Sequence, residues 1–594
     1  MKIKKITRNL RYFVPLLLKI NPMTLIIMVL IAIVNSINSI SWVVFPKMII
    51  EELFYNKNYD KLMKVIIVFI ALQFITRVLG EVFDSISHYF IRKADFNIDR
   101  MFNKKITAID YFHVEDPQFN DRLSYAKKCL SQYSDGIYSI TWTIRSVIEY
   151  TITISGIISI ILLSGEFWII ATTTVSVIIN TIIYGKYQEL DEKFNNSVVR
   201  YNRVQWYFNK SIMGFRIQKN LRMYNGEELI VNKGDEANKN VFKIQDKLIK
   251  KQNILGIFEV SFSYLFTNFL TIILLAYSVY YKDSTIAVFT MLYSSVNTLN
   301  NGISGIIYSL KKYYQDCVYQ ENFIDLMEID TVFKDGNKTI EKIETIEFRN
   351  VSFKYPRTDK YVLKDLSFKI DSKQKISLVG LNGSGKTTII KLICRFFEVK
   401  EGEILINGKN INLYKYDDYM KCLAVVFQDF KVISFTIKSN IAIVDENQEK
   451  LYDVLKRSQV LDKVLELPNK EKTYINKWFD KKGVEFSGGE MQKFALARAL
   501  YKEADLVVLD EPTSALDPIS EAEIYYRFSD VVGEKLTLFI SHRLSSCIFS
   551  DKILVLDGNK IVETGTHQEL MENKDGLYCK MFLAQAEYYN DNKE

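Results

Sequence analysis

Lys386 and Thr387 close the pattern G-x-x-x-x-G-K-[ST], which opens at Gly380 and runs through Asn382, Gly383, Ser384 and Gly385, with Thr388 directly behind. A strand-like run, 375–379, precedes it, and the helix-forming run 388–392 follows. In that setting these residue types share one chemistry, the holding of phosphate. Glycines let backbone N–H groups approach phosphate oxygens, and a helix start adds unpaired donors and a positive dipole end. Lys386 is then placed for the β- and γ-phosphates, and the Thr387 hydroxyl for Mg²⁺. A glycine-rich turn that binds nothing is the plainer reading, against which the strict spacing and both flanks argue. A second run, 506–510, is aliphatic and ends in Asp510, followed by Glu511, the form of a buried parallel strand with a polar tip. Ligands of such sheets gather at the carboxyl ends of strands. Asp510 would support Mg²⁺ through its water shell, and Glu511 would orient or deprotonate an attacking water.

Further motifs carry a family resemblance. Ser487, Gly488 and Gly489 stand in F-S-G-G-E, Asp517 ends S-A-L-D, Gln428 lies in V-F-Q-D, His542 in I-S-H-R, and Tyr355 in V-S-F-K-Y-P. In this order they resemble the ATP-binding cassette family over residues 346 to about 585. The resemblance implies an α/β P-loop NTPase domain with ATP and Mg²⁺ as cofactors. It makes Tyr355 the aromatic that stacks on adenine, Gln428 the Q-loop residue near the metal, Asp517 the end of the D-loop, and His542 the switch histidine beside Lys386 and Glu511. Ser487 to Gly489 also open a helical stretch, 491–498, and so offer a second helix amino terminus to an anion. One chain cannot easily bring both helix starts to a single phosphate; in the family a partner cassette supplies the second, and a dimer follows. Phe486 and Glu490 replace the family's usual leucine and glutamine, and 480–485 holds no glutamate where many exporters carry one. His567 reads as structural.

These motifs occupy the second half of a chain of 594 residues, more than one core can organise. Before about residue 320 long blocks of Ile, Val, Leu, Phe and Tyr dominate. Six of them, 22–46, 63–86, 137–164, 167–185, 254–281 and 285–311, are long enough to span a bilayer. Residues 1–324 are therefore read as a membrane α-helical domain of six spans, 325–345 as a linker, and 346–594 as the nucleotide-binding domain. Lys and Arg crowd the amino terminus and the loops 92–135 and 186–251, whereas the other loops carry few. By the positive-inside rule those segments and the cassette share the cytoplasm, at a multi-pass cell membrane. The pattern resembles the exporter branch, a half-transporter whose long loops are helical extensions; 108–119 and 206–216 with 219–224 look like its coupling segments. The net charge of +7 lies largely beside the bilayer, which favours anionic headgroups over nucleic acid as its partner. All six cysteines fall on the reducing side without a metal-type pairing, and free thiols are expected.

Ionisable residues at bilayer depth are costly and pair or face water. Arg77 and Glu81 lie one turn apart on the second block, as do Arg145 and Glu149 on the third. Counting from the outer ends sets Arg77 level with Glu149 and Glu81 level with Arg145. This predicts two stacked ion pairs, with a place on the cargo path as the alternative. Asp84 and Glu259 are candidates for meeting a cationic cargo. The function expected is ATP-driven export of a peptide or small drug-like molecule by alternating access. A lipid flippase, or a membrane ATPase that senses a ligand without moving it, remains open. No cysteine-protease segment precedes the first span, so leader cleavage in cis is not expected. The second protomer is read as another copy of this chain, though a homologous half-transporter satisfies the motifs equally.

Overall fold

The computed structural model describes residues 2–130, 136–213, 215–262, 268–281, 284–329, 336–356, 358–443, 445–511, 533, 535–541 and 544–590. They form two units, Met1–Ala108 with Pro117–Ile329, and Ile109–Asp116 with Asp330–Glu594. Residues 109–116, read from the sequence as part of a loop of the membrane domain, therefore pack with the second unit.

The elements of the first unit among the described residues are helices: α1 (Lys2–Ile20), α2 (Met23–Ile50) and α3 (Tyr59–Ala108), then, after α4 (Tyr111–Val114) of the second unit, α5 (Pro117–Cys129), α6 (Ile137–Ser164), α7 (Trp168–Met213), α8 (Phe215–Met223), α9 (Glu227–Phe262), α10 (Leu270–Tyr281) and α11 (Ile286–Met327). Local chemistry sets several ends. Gly165 stops α6 in the left-handed conformation, and the Thr285 hydroxyl caps α11 by accepting from Val288 N. Among the described residues, four segments are long and apolar enough to cross a bilayer: Met23–Asn56, Tyr59–Ala108, Ile137–Ser164 and Trp168–Tyr187. The fifth expected block is divided between α9 and α10, with 263–267 outside the described residues. The sixth lies in the continuous α11, where Ser294, Ser295, Asn297, Thr298, Asn300 and Asn301 dilute the apolar run, so it does not reach that apolarity. The inner core joins Val43, Ile157, Ile161, Ile169, Leu275 and Leu292 from five helices. Small residues let α11 press on α6: a Cβ at Gly302 or Gly305 would lie 2.9 Å from Ile154 or 2.4 Å from the Tyr150 ring.

The two expected ion pairs do not form. Arg77 meets Glu81 on its own helix at 3.3 Å, and both side chains are exposed. Arg145 of α6 instead donates to Asp84 of α3 at 2.6 Å, and Glu149 accepts from Asn35 Nδ2 of α2 at 3.0 Å. Counting from the outer ends assumed that these lie level. With Asp84 opposite Arg145, the outer ends of α3 and α6, Tyr59 and Ser164, do not lie level, and the partner of Arg145 is Asp84, about one turn beyond Glu81. The stitch between the second and third blocks exists, through a different carboxylate. Asp84 is thus held by Arg145 and by His88 at 3.3 Å. The Glu259 side chain, and those of 206–216, lie outside the described residues.

Among the described residues the second unit holds two sheets. Strands β1 (Ile346–Phe353), β2 (Leu363–Ile370), β4 (Glu401–Ile406) and β5 (Lys409–Asn410) form an antiparallel sheet in the order β2-β1-β4-β5. The larger sheet takes β3 (Lys375–Gly380), β6 (Leu423–Val426), β7 (Leu506–Asp510), β8 (Leu536–Ile540), β9 (Lys552–Asp557) and β10 (Lys560–Gly565) in the order β10-β9-β3-β8-β7-β6. Its pairings are parallel except at β10, on the edge. β7 and β8 are buried along their whole length, as largely apolar central strands require. Helix α12 (Lys386–Ile393) follows β3, and α13 (Tyr416–Lys421) precedes β6. A separate apolar cluster under α14 (Ile437–Ile441), α15 (Gln448–Arg457), α16 (Leu461–Glu466) and α17 (Gly488–Tyr501) includes Phe486, packed edge-on against Phe494.

Candidate functional site

Four parallel strands end at one level and build the site between them. Ile540 pairs with Leu378 on one side and with Asp510 on the other, and Leu509 pairs with Val426. The loop 380–385 therefore leaves β3 beside the tips that carry Asp510, Glu511 and Gln428. A cleft of about 560 Å³ opens there, lined by Asn382, Gly383, Ser384, Gly385, Lys386, Thr387, Thr388, Gln428 and Glu511, all expected from the sequence, together with Val362 and Ile540, which were not. Gly383 and Gly385 take φ of +80° and +101°, and a Cβ at Gly385 would lie 2.7 Å from Leu363 Cδ2. Glycine is needed at both for conformation, and at Gly385 for space as well.

The polar groups of the cleft are only partly satisfied within the chain. Lys386 Nζ donates to the carbonyls of Gly380 (2.7 Å) and Leu381 (3.0 Å), and burial lowers its pKa, opposed by Glu511 and Asp510. Thr387 Oγ1 donates to Asp510 Oδ2 at 3.2 Å. Asp510 is 2 % exposed, and burial pushes its carboxyl up to about 6. Its Oδ1 and the Ser384 hydroxyl are buried without a hydrogen-bond partner. A hydroxyl left open in a glycine loop suits a phosphate oxygen, and a carboxylate oxygen left open beside Thr387 suits a hard cation. The residues present thus fit both a nucleotide phosphate and Mg²⁺.

Glu511 follows β7 with φ +49°, a left-handed conformation rare for this residue type. Its N–H donates to Ile540 O (2.9 Å) and its carbonyl accepts from Gln492 Nε2 (3.1 Å), which fixes the turn. The carboxylate accepts from Gln428 Nε2 at 2.8 Å. Tyr355 does not line this cleft. Its hydroxyl lies 3.1 Å from Thr388 Oγ1, and its ring borders a second cavity of about 580 Å³ with Phe112, Phe353, Tyr361 and Phe397.

Ser487, Gly488 and Gly489 are not among the residues that line the cleft. Ser487 caps α17 in a reciprocal box: its hydroxyl accepts from Glu490 N (3.2 Å), while Glu490 Oε2 accepts from Ser487 N (2.8 Å). The unusual Glu490 is thus a capping residue. Asp517 with the rest of 512–532, and His542, lie outside the described residues. His567 sits against Tyr578, Nδ1 to OH 2.8 Å. Sequence reasoning passed over Gln492 and also Lys391, one turn into α12 beyond Lys386, because nothing in a local pattern sets either apart.

A family model described as ABC transporter matches residues 363–514. The subtilin transport ATP-binding protein SpaT of Bacillus subtilis is 31 % identical over 518 residues, 84 % of this chain and 82 % of that protein. An ATP-dependent lipid A-core flippase of Photobacterium profundum is 29 % identical, over 61 % of this chain and 62 % of its own length. The human mitochondrial iron-sulfur clusters transporter ABCB7 is 34 % identical, over 46 % of this chain and 36 % of its own. A structure of a bacterial Atm1-family ABC exporter with ATP bound shares the fold, with a TM-score of 0.76 at 22 % identity, covering 95 % of this chain and 99 % of that one. With its apolar helices, its cassette and a likeness to SpaT that runs across both, the chain belongs to the ABC transporter family, as a multi-pass, ATP-hydrolysing exporter half-transporter.

Proposed function

We propose that two copies of the chain clasp ATP between their cassettes and use the clasp to export a peptide across the cytoplasmic membrane. The observation that carries the dimer is the separation within one cassette: the glycine loop lines the cleft, and the Ser487 to Gly489 helix start does not. A second copy would bring that helix start to the γ-phosphate. Lys386, Ser384 and the 382–388 backbone would hold the phosphates, and the adenine would stack on Tyr355 in the second cavity. Thr387, Asp510 and Gln428 would hold Mg²⁺, which when bound withdraws charge from the phosphate oxygens. Glu511, held in place by Gln492 and Ile540, would accept the proton of the attacking water. His542 and Asp517 are assigned from the motif alone.

Closing the cassettes would act on the membrane helices through the segment 109–116, on which Tyr111 stacks with Phe396 at 4.5 Å and Phe396 with Phe427, the neighbour of Gln428. The amino terminus and cassette would face the cytoplasm, and the membrane helices would number six. A peptide cargo is favoured because the likeness to a protein named for subtilin transport extends through the membrane half. Glu511→Gln tests the scheme in nanodiscs. The variant should bind ATP and pair in its presence while hydrolysis falls at least a hundredfold. Brisk turnover, or failure to pair, would refute it. Uptake of peptide against lipid in sealed inverted vesicles decides the cargo class.

A further inference from the structure

Lys391 belongs to no motif, and it connects the proposed base site to Glu115 in the segment 109–116. Lys391 Nζ forms an ion pair with Glu115 Oε1 at 2.6 Å. The same ammonium lies over the Tyr355 ring, 5.4 Å from its centroid, and 5.8 Å from that of Phe397. The Lys391 side chain is 21 % exposed and Glu115 35 %, so water weakens neither contact fully. From these contacts we infer that Glu115 and Lys391 are positioning residues for nucleotide: Glu115 holds the Lys391 ammonium over Tyr355, and the polarised ring binds a purine base.

The reasoning is electrostatic. A cation over an aromatic face draws on the ring's quadrupole. The depleted ring then stacks better on an electron-rich purine than on a smaller pyrimidine. Phe353 and Phe397 stand edge-on to Tyr355, at 79° and 88°, and fix its plane, while its hydroxyl meets Thr388 of α12. A base seated on Tyr355 thereby strengthens the Lys391 contact, and through Glu115 the hold on 109–116. Base occupancy is thus transmitted to that segment by a route separate from the Gln428 and Glu511 contact at the phosphates.

This inference rests on the reading that the base stacks on Tyr355, and the experiment separates the two. Full-length protein in nanodiscs is assayed for steady-state hydrolysis of ATP and UTP, with Tyr355→Ala, Lys391→Met, Glu115→Gln and the exchange Glu115→Lys with Lys391→Glu. Lys391→Met and Glu115→Gln should raise KM for ATP about fivefold, with kcat changed less than twofold, and should narrow the preference for ATP over UTP. The exchange restores an ion pair but sets a carboxylate by the ring, so KM should stay raised. Recovery of KM in the exchange would show a strut that only fastens 109–116 and would overturn the inference. So would an unchanged KM in Lys391→Met beside a raised one in Tyr355→Ala. If Tyr355→Ala itself leaves KM unchanged, the base-stacking reading fails and this inference with it.

Discussion

Asp510 is held in a state that suits a bound cation better than an empty cleft. Burial raises its carboxyl from 3.8 to about 6, against a Thr387 hydrogen bond and the Lys386 charge that oppose the rise. The folded chain therefore holds this proton more tightly than the unfolded chain does. Without nucleotide, its contribution to stability falls as pH rises from about 4 to about 6 and is level above that. At 1.36 kcal/mol per unit the difference is at most about 3 kcal/mol. Asp510→Asn should lose this dependence: its melting temperature relative to the unaltered protein should climb between pH 4 and pH 7, and Mg-ATP should abolish the gain. A difference that does not change with pH would contradict the account. Glycine spacing and strand tips made Lys386, Thr387, Asp510 and Glu511 legible in the sequence. The +49° turn at Glu511 was not legible, nor was its support by Gln492, because both depend on partners distant in the chain.

Helix α17 shows a substitution whose meaning lies in the element. Glu490 completes a capping box with Ser487, so Glu490→Ala should destabilise the cassette by about 1 kcal/mol in thermal or denaturant unfolding. The same carboxylate stands on the helix start proposed to receive a γ-phosphate, where a negative charge works against binding. Glu490→Gln keeps both cap hydrogen bonds and removes that charge. It should lower the ATP concentration needed for pairing, in the Glu511→Gln background, severalfold; an equal or higher requirement would place Glu490 away from the phosphate. Elements were read from the sequence about as well as their pattern was regular. The aliphatic runs of β3, β7 and β8 were legible, and so were four membrane-length helices. The dilution of α11 by Ser, Thr and Asn blurred the sixth block, and the membership of 109–116 in the cassette depended on Tyr111 finding Phe396, a contact without a local signature.

At the scale of the helical unit, the ion-pair register is a property of three helices and could not be counted from two of them. Arg145 joins α6 to α3 through Asp84, while Glu149 beside it joins α6 to α2 through Asn35. Arg77 and Glu81, by contrast, stay on one helix with side chains 80 % and 68 % exposed. An exposed pair one turn apart contributes about 0.5 kcal/mol or less. Removing one member of a part-buried pair between helices loses a charge-assisted hydrogen bond that ties them, at about 1–3 kcal/mol. Arg145→Met should therefore lower the melting temperature of the reconstituted protein clearly, and Arg77→Ala should barely move it. Asp84→Asn combined with Arg145→Met should cost less than the sum of the two single changes, since each already removes the same contact. Additive losses from Asp84 and Arg145, or a loss at Arg77 as large as that at Arg145, would contradict a stitch between α3 and α6 that runs through Asp84 and Arg145.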